Sequence, residues 1–183
     1  MVLIEGYLVF NRELFQAALG RAKAAGACVA LDLASFTVVE SARDLLDEAV
    51  TGSIDILLAN EDEAQAFTGR DSAAAALEDL AQRVPVAAVK IGPRGSLVAA
   101  AGRVQAVPPV PGDGVVDTTG AGDLWAAGFL FGLVEGYPLP VCGQLASACG
   151  YEVCRVLGAH IPDDGWERIR RLLPAAALMK DRR

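Results

Sequence analysis

The sequence predicts an α/β fold built on a mostly parallel sheet flanked by helices. Short apolar runs that end at a polar residue alternate with longer segments whose apolar residues recur at helical spacing. Capping residues and glycines stand between them, where the chain must reverse. The 183 residues are 53% hydrophobic and 21% charged, which is enough apolar material for a buried core and rules out disorder. Strand, helix, strand, helix is the order of right-handed parallel crossovers. At about 150 residues per domain the length predicts a single domain, residues 1–183. No repeat, low-complexity segment or linker divides it.

Val2 to Val9 is an apolar run and predicts the first strand. Asn11 caps a helix with Leu14, Ala17, Ala18, Ala22 and Ala25 at helical spacing, and Gly26 stops it. Cys28 to Leu33 predicts a second strand, ending at Asp32, and Val39 to Val50 a helix. Ile54 to Leu58 predicts a third strand that runs into Asn60. Helices over Glu61 to Phe67, closed by Gly69, and over Ser72 to Arg83 follow. Val86 to Ile91 is the fourth strand. Ser96 to Ala100 and Arg103 to Val107, split by Ala101-Gly102, predict a β-hairpin added to the sheet edge. After a Pro/Gly-rich loop, Pro108 to Gly114, the chain turns helical over Gly120 to Leu133, Pro140 to Leu157 and Asp164 to Leu173.

A formal net charge of −7 argues against nucleic acid or an anionic membrane surface as a partner. Arg168-Ile169-Arg170-Arg171 and Lys180 to Arg183 read as a solvated helix face and tail. The longest strongly apolar stretch, Leu124 to Val134, is too short to span a membrane, and the N-terminus lacks a secretory signal. Cys28, Cys142, Cys149 and Cys154 form no Cys-x-x-Cys, and His160 is the only histidine, so no zinc site is expected. Buried free thiols in a reducing cytoplasm are the expectation. His160 reads as a surface residue, Trp125 and Phe129 as core, and Trp166 as packing the last helix down.

The chemistry concentrates in Asp117-Thr118-Thr119-Gly120-Ala121-Gly122-Asp123, where a loop enters a helix. Small residues there let a ligand approach the backbone. The first N–H groups of a helix lack intrahelical acceptors, and the dipole adds partial positive charge, which makes an anion hole suited to phosphate. Asp123 lies in the first helical turn, where a carboxylate can accept a hydroxyl proton while amides hold the phosphoryl group. An ordinary capped helix entry would also use small residues, but not the full seven-residue pattern. No Gly-Lys-Ser/Thr follows, so this is not a Walker A loop.

With the helix Leu124-Trp125-Ala126-Ala127-Gly128-Phe129 behind it, this segment closely resembles the C-terminal signature of the ribokinase (PfkB) family of carbohydrate and nucleoside kinases. The resemblance implies that Gly120, Ala121 and Gly122 form the anion hole and that Asp123 is the catalytic base. Asn60-Glu61-Asp62-Glu63 resembles the family's Asn-x-x-Glu motif, which implies that Asn60 and Glu63 organise Mg²⁺ and its waters around the phosphates. Mg²⁺ keeps most of its waters and needs only one or two carboxylates nearby. An acidic first turn of a helix would look the same. Lys90-Ile91-Gly92-Pro93-Arg94-Gly95 resembles the nucleotide-binding Lys/Thr-x-Gly-x-x-Gly turn, with Lys90 able to reach phosphate and Gly92 and Gly95 lining the nucleotide. A plain hairpin turn would use the same glycines.

Relatives place part of the adenine pocket near the positions of Val107 to Pro111 and Ala146 to Gly150. A monovalent cation such as K⁺ often sits beside the anion hole, where Asp117 and Thr119 stand. Glu5 and Asp32 end strands at the ligand-binding edge of a parallel sheet. A carboxylate near the Glu5 position can contact the sugar in the family, and Glu5-Gly6-Tyr7 looks closer to the adenosine-kinase-like branch.

The resemblance covers essentially the whole chain but not the whole family. Members are longer on the N-terminal side, so the first sheet strands, the β lid and a Gly-Gly acceptor motif are expected to be missing. The chain holds no Gly-Gly pair. An uncovered sheet edge, and a mean hydropathy of +0.36, predict self-association as a homodimer through that edge. The reaction implied is ATP-dependent phosphorylation of an alcohol on a sugar or nucleoside. A non-catalytic nucleotide-binding fragment, a structural fragment, and a vitamin-precursor hydroxymethyl kinase of the same fold are the alternatives.

Overall fold

The computed structural model describes residues 1–174, so the expected basic tail at Lys180 to Arg183 lies outside the described residues. The chain gathers into two compact units, one of residues 1–92 and 97–106, the other of residues 93–96 and 107 onward.

The first unit is the sheet unit. Its strands β1 (Val2–Glu5), β2 (Val29–Asp32), β3 (Ile56–Asn60), β4 (Val86–Lys90), β5 (Ser96–Ala100) and β6 (Arg103–Val107) lie side by side in sequence order. The first four are parallel. Register aligns Glu5 with Asp32, Asp32 with Leu58, and Asn60 with Lys90, so the polar strand ends collect at one edge of the sheet. The middle of the sheet is apolar without alternation: β2 is buried at all four positions, whereas the edge strand β1 buries only Ile4. Val2 and Leu3 are 37% and 40% exposed on that edge.

The helices of this unit are α1 (Arg12–Ala24), α2 (Phe36–Gly52), α3 (Glu61–Thr68) and α4 (Ala73–Leu80). Asn11, Ser35, Asn60 and Ser72 cap them, each side chain accepting an N–H of the first turn. Two boundaries here differ from expectation for a reason the structure shows. The first strand stops at Glu5, and Gly6–Phe10 forms a 3₁₀ turn. A Cβ on Gly6 would lie 2.6 Å from the Leu33 carbonyl oxygen, so this backbone packs onto the end of β2, where only glycine fits. Helix α2 starts at Phe36 rather than Val39 because the Ser35 hydroxyl accepts the Val38 N–H. The hairpin forms as expected, with Ala101 and Gly102 both at positive φ (49° and 73°), the geometry that matches strand twist.

The second unit holds α5 (Ala121–Val134), α6 (Leu139–Val153) and α7 (Asp163–Arg170). The backbones of α5 and α6 touch. A Cβ at Gly128 would stand 2.8 Å from the Leu145 carbonyl oxygen, and one at Gly132 would stand 2.9 Å from Cys142 Cα. Trp125 and Phe129 are buried and stack at 5.1 Å, as core residues. Trp166 is 36% exposed, contrary to expectation. Helix α7 is held instead by buried Ile169 and by the Arg168 guanidinium on buried Glu152, with contacts of 2.6 and 2.7 Å. Helix α6 ends at Val153, short of the expected Leu157, which is exposed.

All four cysteines are free, and three are buried. Cys28 departs from the expected burial; it is exposed just before β2. Burial pushes the Cys149 thiol up to about 11, which keeps it protonated and inert. Among the described residues no helix is long and apolar enough to cross a membrane.

Candidate phosphate-handling site

In the sheet unit the candidates stand at the polar ends of β1 to β4. Asn60 closes β3 and caps α3 in a complete capping box. Its side-chain oxygen accepts the Glu63 N–H at 2.8 Å, and Glu63 accepts from the Asn60 backbone N–H (2.8 Å) and side-chain amide (2.6 Å). Glu63 is 3% exposed. Burial pushes its carboxyl above the usual range, and the Asn60 N–H and the Lys90 charge pull it back. Among the described residues no three His, Cys, Asp or Glu side chains gather as a metal cage. The donor set suits a cation carried by phosphates and waters with one carboxylate nearby, not a site built from protein ligands.

Lys90 closes β4 and pairs with Asp32 at 2.8 Å. Asp32 is buried and engaged, so it offers no free carboxylate to a sugar. Glu5, at the end of β1, is exposed. Gly92 lies in the left-handed region at φ +59° and opens a short 3₁₀ turn.

In the second unit Gly95 has φ +92°, and a Cβ there would fall 2.1 Å from the Val107 carbonyl oxygen. The chain's own packing therefore requires glycine at this position. The segments expected to flank adenine touch one another. The Ser147 hydroxyl donates to the Pro108 carbonyl at 3.2 Å, and just beyond both segments the Tyr151 hydroxyl donates to the carbonyl of Asp113 at 3.2 Å.

The loop before α5 is held from both sides. One Asp117 oxygen accepts the Thr119 N–H (3.0 Å) and hydroxyl (2.8 Å), while the other accepts the Gly158 N–H at 2.9 Å. These bonds, that of Gly158 foremost, hold the Asp117 carboxyl below the usual range. Gly120 is left-handed at φ +77°, and a Cβ on it would meet that of Ala159 at 2.6 Å. Gly120 is the N-cap of α5 and no side chain caps the helix. The Ala121 N–H turns back to the Thr118 carbonyl at 3.1 Å. The amides of Gly122 and Asp123 thus remain as the first-turn donors of the predicted anion hole. Asp123 itself is exposed beside them.

The sequence reading missed two contacts, Asp32 with Lys90 and Asp117 with Gly158. A signal for the first existed: a lysine closing a buried strand needs a counter-charge.

The family model for pfkB family carbohydrate kinases matches residues 1–164. The chain belongs to this family. An uncharacterised sugar kinase of Archaeoglobus fulgidus is 33% identical over 113 residues, covering 62% of this chain and 45% of that protein. The adenosine kinase of Sinorhizobium meliloti superposes with TM-score 0.87 at 32% identity, over 93% of this chain and 54% of that one. A fructokinase from Vibrio cholerae, crystallised with fructose, ADP and calcium, superposes with TM-score 0.75 at 25% identity, over 97% of this chain and 59% of that one. This pfkB-family chain therefore spans about half the length of the relatives it matches. The ribokinase-like α/β fold expected from the motifs agrees with these neighbours.

Proposed function

We propose that this chain handles the nucleotide in ATP-dependent phosphorylation of an alcohol group on a sugar or nucleoside. The observation that carries the reading is the exposed Asp123 carboxylate in the first turn of an uncapped helix, next to a left-handed Gly120. The helix end would hold the transferring phosphoryl group, and Asp123 would take the proton of the attacking hydroxyl. Asn60 and Glu63 would stand near Mg²⁺ through its waters, and that ion would offset the charge on the phosphates. Lys90 and the Gly92 turn would bind phosphate, Gly95 would line the nucleotide, and Glu5 would contact the acceptor. A monovalent cation beside Asp117 and Thr119 would share oxygens that already accept three hydrogen bonds. Exposed Val2 and Leu3 support self-association along β1, which light scattering showing only monomer at high concentration would overturn. A cytoplasmic setting belongs to the same reading and is supported by the free thiols.

The test is Asp123→Ala. Turnover on the best acceptor in a panel of sugars, nucleosides and hydroxymethyl compounds should fall by roughly three powers of ten, with ATP binding retained. Unchanged turnover ends the assignment. ATP binding by the unaltered chain without turnover on any acceptor would make it a non-catalytic nucleotide-binding fragment.

A further inference from the structure

Asp32 and Lys90 are both largely buried, their side chains 9% and 14% exposed. They come from strands two apart: Asp32 is in register with Leu58 of β3, and Lys90 with Asn60 of β3. Neighbouring strands lie about 4.8 Å apart, so the Lys90 side chain crosses the end of β3 to reach the carboxylate.

Asp32 is fixed on its other sides too. Its second oxygen accepts the Ala34 N–H at 3.1 Å, and Ala34 sits at φ +65°, an uncommon backbone for a residue with a side chain. A Cβ on Gly6 would come within 2.9 Å of the Asp32 carbonyl oxygen, so the 3₁₀ turn presses against the same strand end. A lysine at a strand end has many rotamers, and this carboxylate selects one. Stability alone is a weak reason for the pair, because apolar replacements of a buried ion pair are often as stable. The pair stands at the carboxyl ends of parallel strands, where such sheets bind ligands.

We infer that Asp32 is a positioning residue that holds the Lys90 ammonium over the ends of β3 and β4, ready for the phosphates of a nucleoside triphosphate. This rests on the nucleotide-handling reading above. Asp32 touches no ligand itself and acts through Lys90.

A double-mutant cycle on the full 183-residue chain tests it, with MgATP affinity by titration calorimetry and melting midpoints as the two readouts. Lys90→Met and Asp32→Asn should each weaken MgATP binding about tenfold, and the double variant also about tenfold rather than a hundredfold. The two readouts separate positioning from structure. In the double variant the melting midpoint should recover toward the original while affinity stays weak. Recovery of both would make the pair structural and overturn the inference. Asp32→Asn binding as tightly as the unaltered chain, or multiplying the loss of Lys90→Met, would overturn it as well. If Asp32→Asn fails to melt cooperatively, Asp32→Glu replaces it, with a several-fold loss expected and unaltered affinity overturning the inference. Failure of the unaltered chain to bind MgATP would overturn the nucleotide reading and this inference together. Binding that is equal in all four proteins would overturn only the role of the pair.

Discussion

Glu63 in the sheet unit and Glu152 in the helical unit are almost equally hidden, 3% and 4% exposed, yet their carboxyls shift in opposite directions. Glu63 rises because burial outweighs its partners, a backbone N–H and a side-chain amide from Asn60, both neutral. Glu152 falls because the Arg168 guanidinium grips both its oxygens, with Arg155 adding a contact at 3.2 Å. Glu152 also lies less deep in the protein than Glu63, so depth of burial and the charge of the donors together set the direction of each carboxyl. Glu152 is neutralised by fixed arginines and serves as a staple between α6 and α7. Glu63 has the neutral Asn60 donors on its two oxygens, with the Lys90 charge acting from further off.

The sharpest way to break this contrast is to remove the guanidinium. Arg168→Ala leaves Glu152 buried with only Arg155 beside it and also releases Asp164. Stranding a buried charge is among the more damaging single changes, so the melting midpoint should fall by roughly 5–10 °C. A shift within about 1 °C would mean that the pair is solvent-screened like an ordinary surface bridge, and the contrast with Glu63 would fail.

The same two units show what a sequence displays and what it conceals. The parallel strands were legible because they are nearly unbroken apolar runs, and the capping residue Asn11 marked a helix start through a purely local bond. The boundaries at Val9 and Leu157 went wrong for a tertiary reason in the first case: Gly6 packs on Leu33, far along the chain. The Asp117 to Asp123 motif was legible because its residues are contiguous, and it lies within residues 1–164, which the family model matches. The contacts that order the candidate site were not legible. Asp32 and Lys90 lie 58 positions apart, and Asp117 and Gly158 lie 41 apart, joined only by the fold. Asn60 and Glu63 carried a double meaning from the start, and the capping box shows that the structural meaning is real, whatever the ligand role.

The smaller effect is the more discriminating one, and it comes from replacing each glutamate by its neutral isostere. In Glu152→Gln the arginines lose their anion, so the variant should melt several degrees below the unaltered protein near neutral pH. The folded Glu152 carboxyl lies below its usual 4.5, so its stabilisation is present above that value and fades as pH falls through the folded one. The deficit of Glu152→Gln should therefore shrink in acid. Glu63 has the opposite sign. Its folded carboxyl lies above 4.5, so its contribution is full below that value and is lost as pH rises through the folded one. Glu63→Gln gives up one bond, because its amide would face the Asn60 amide, but it also sheds the burial of a charge. The variant should thus gain on the unaltered protein by about 1–2 °C as pH climbs from about 4 to about 8. Melting curves across that range would show the two differences moving in opposite senses. A Glu63→Gln curve that runs parallel to the original would mean that the Lys90 charge already balances the burial. In that case the carboxylate beside Asn60 is as settled as the one beside Arg168.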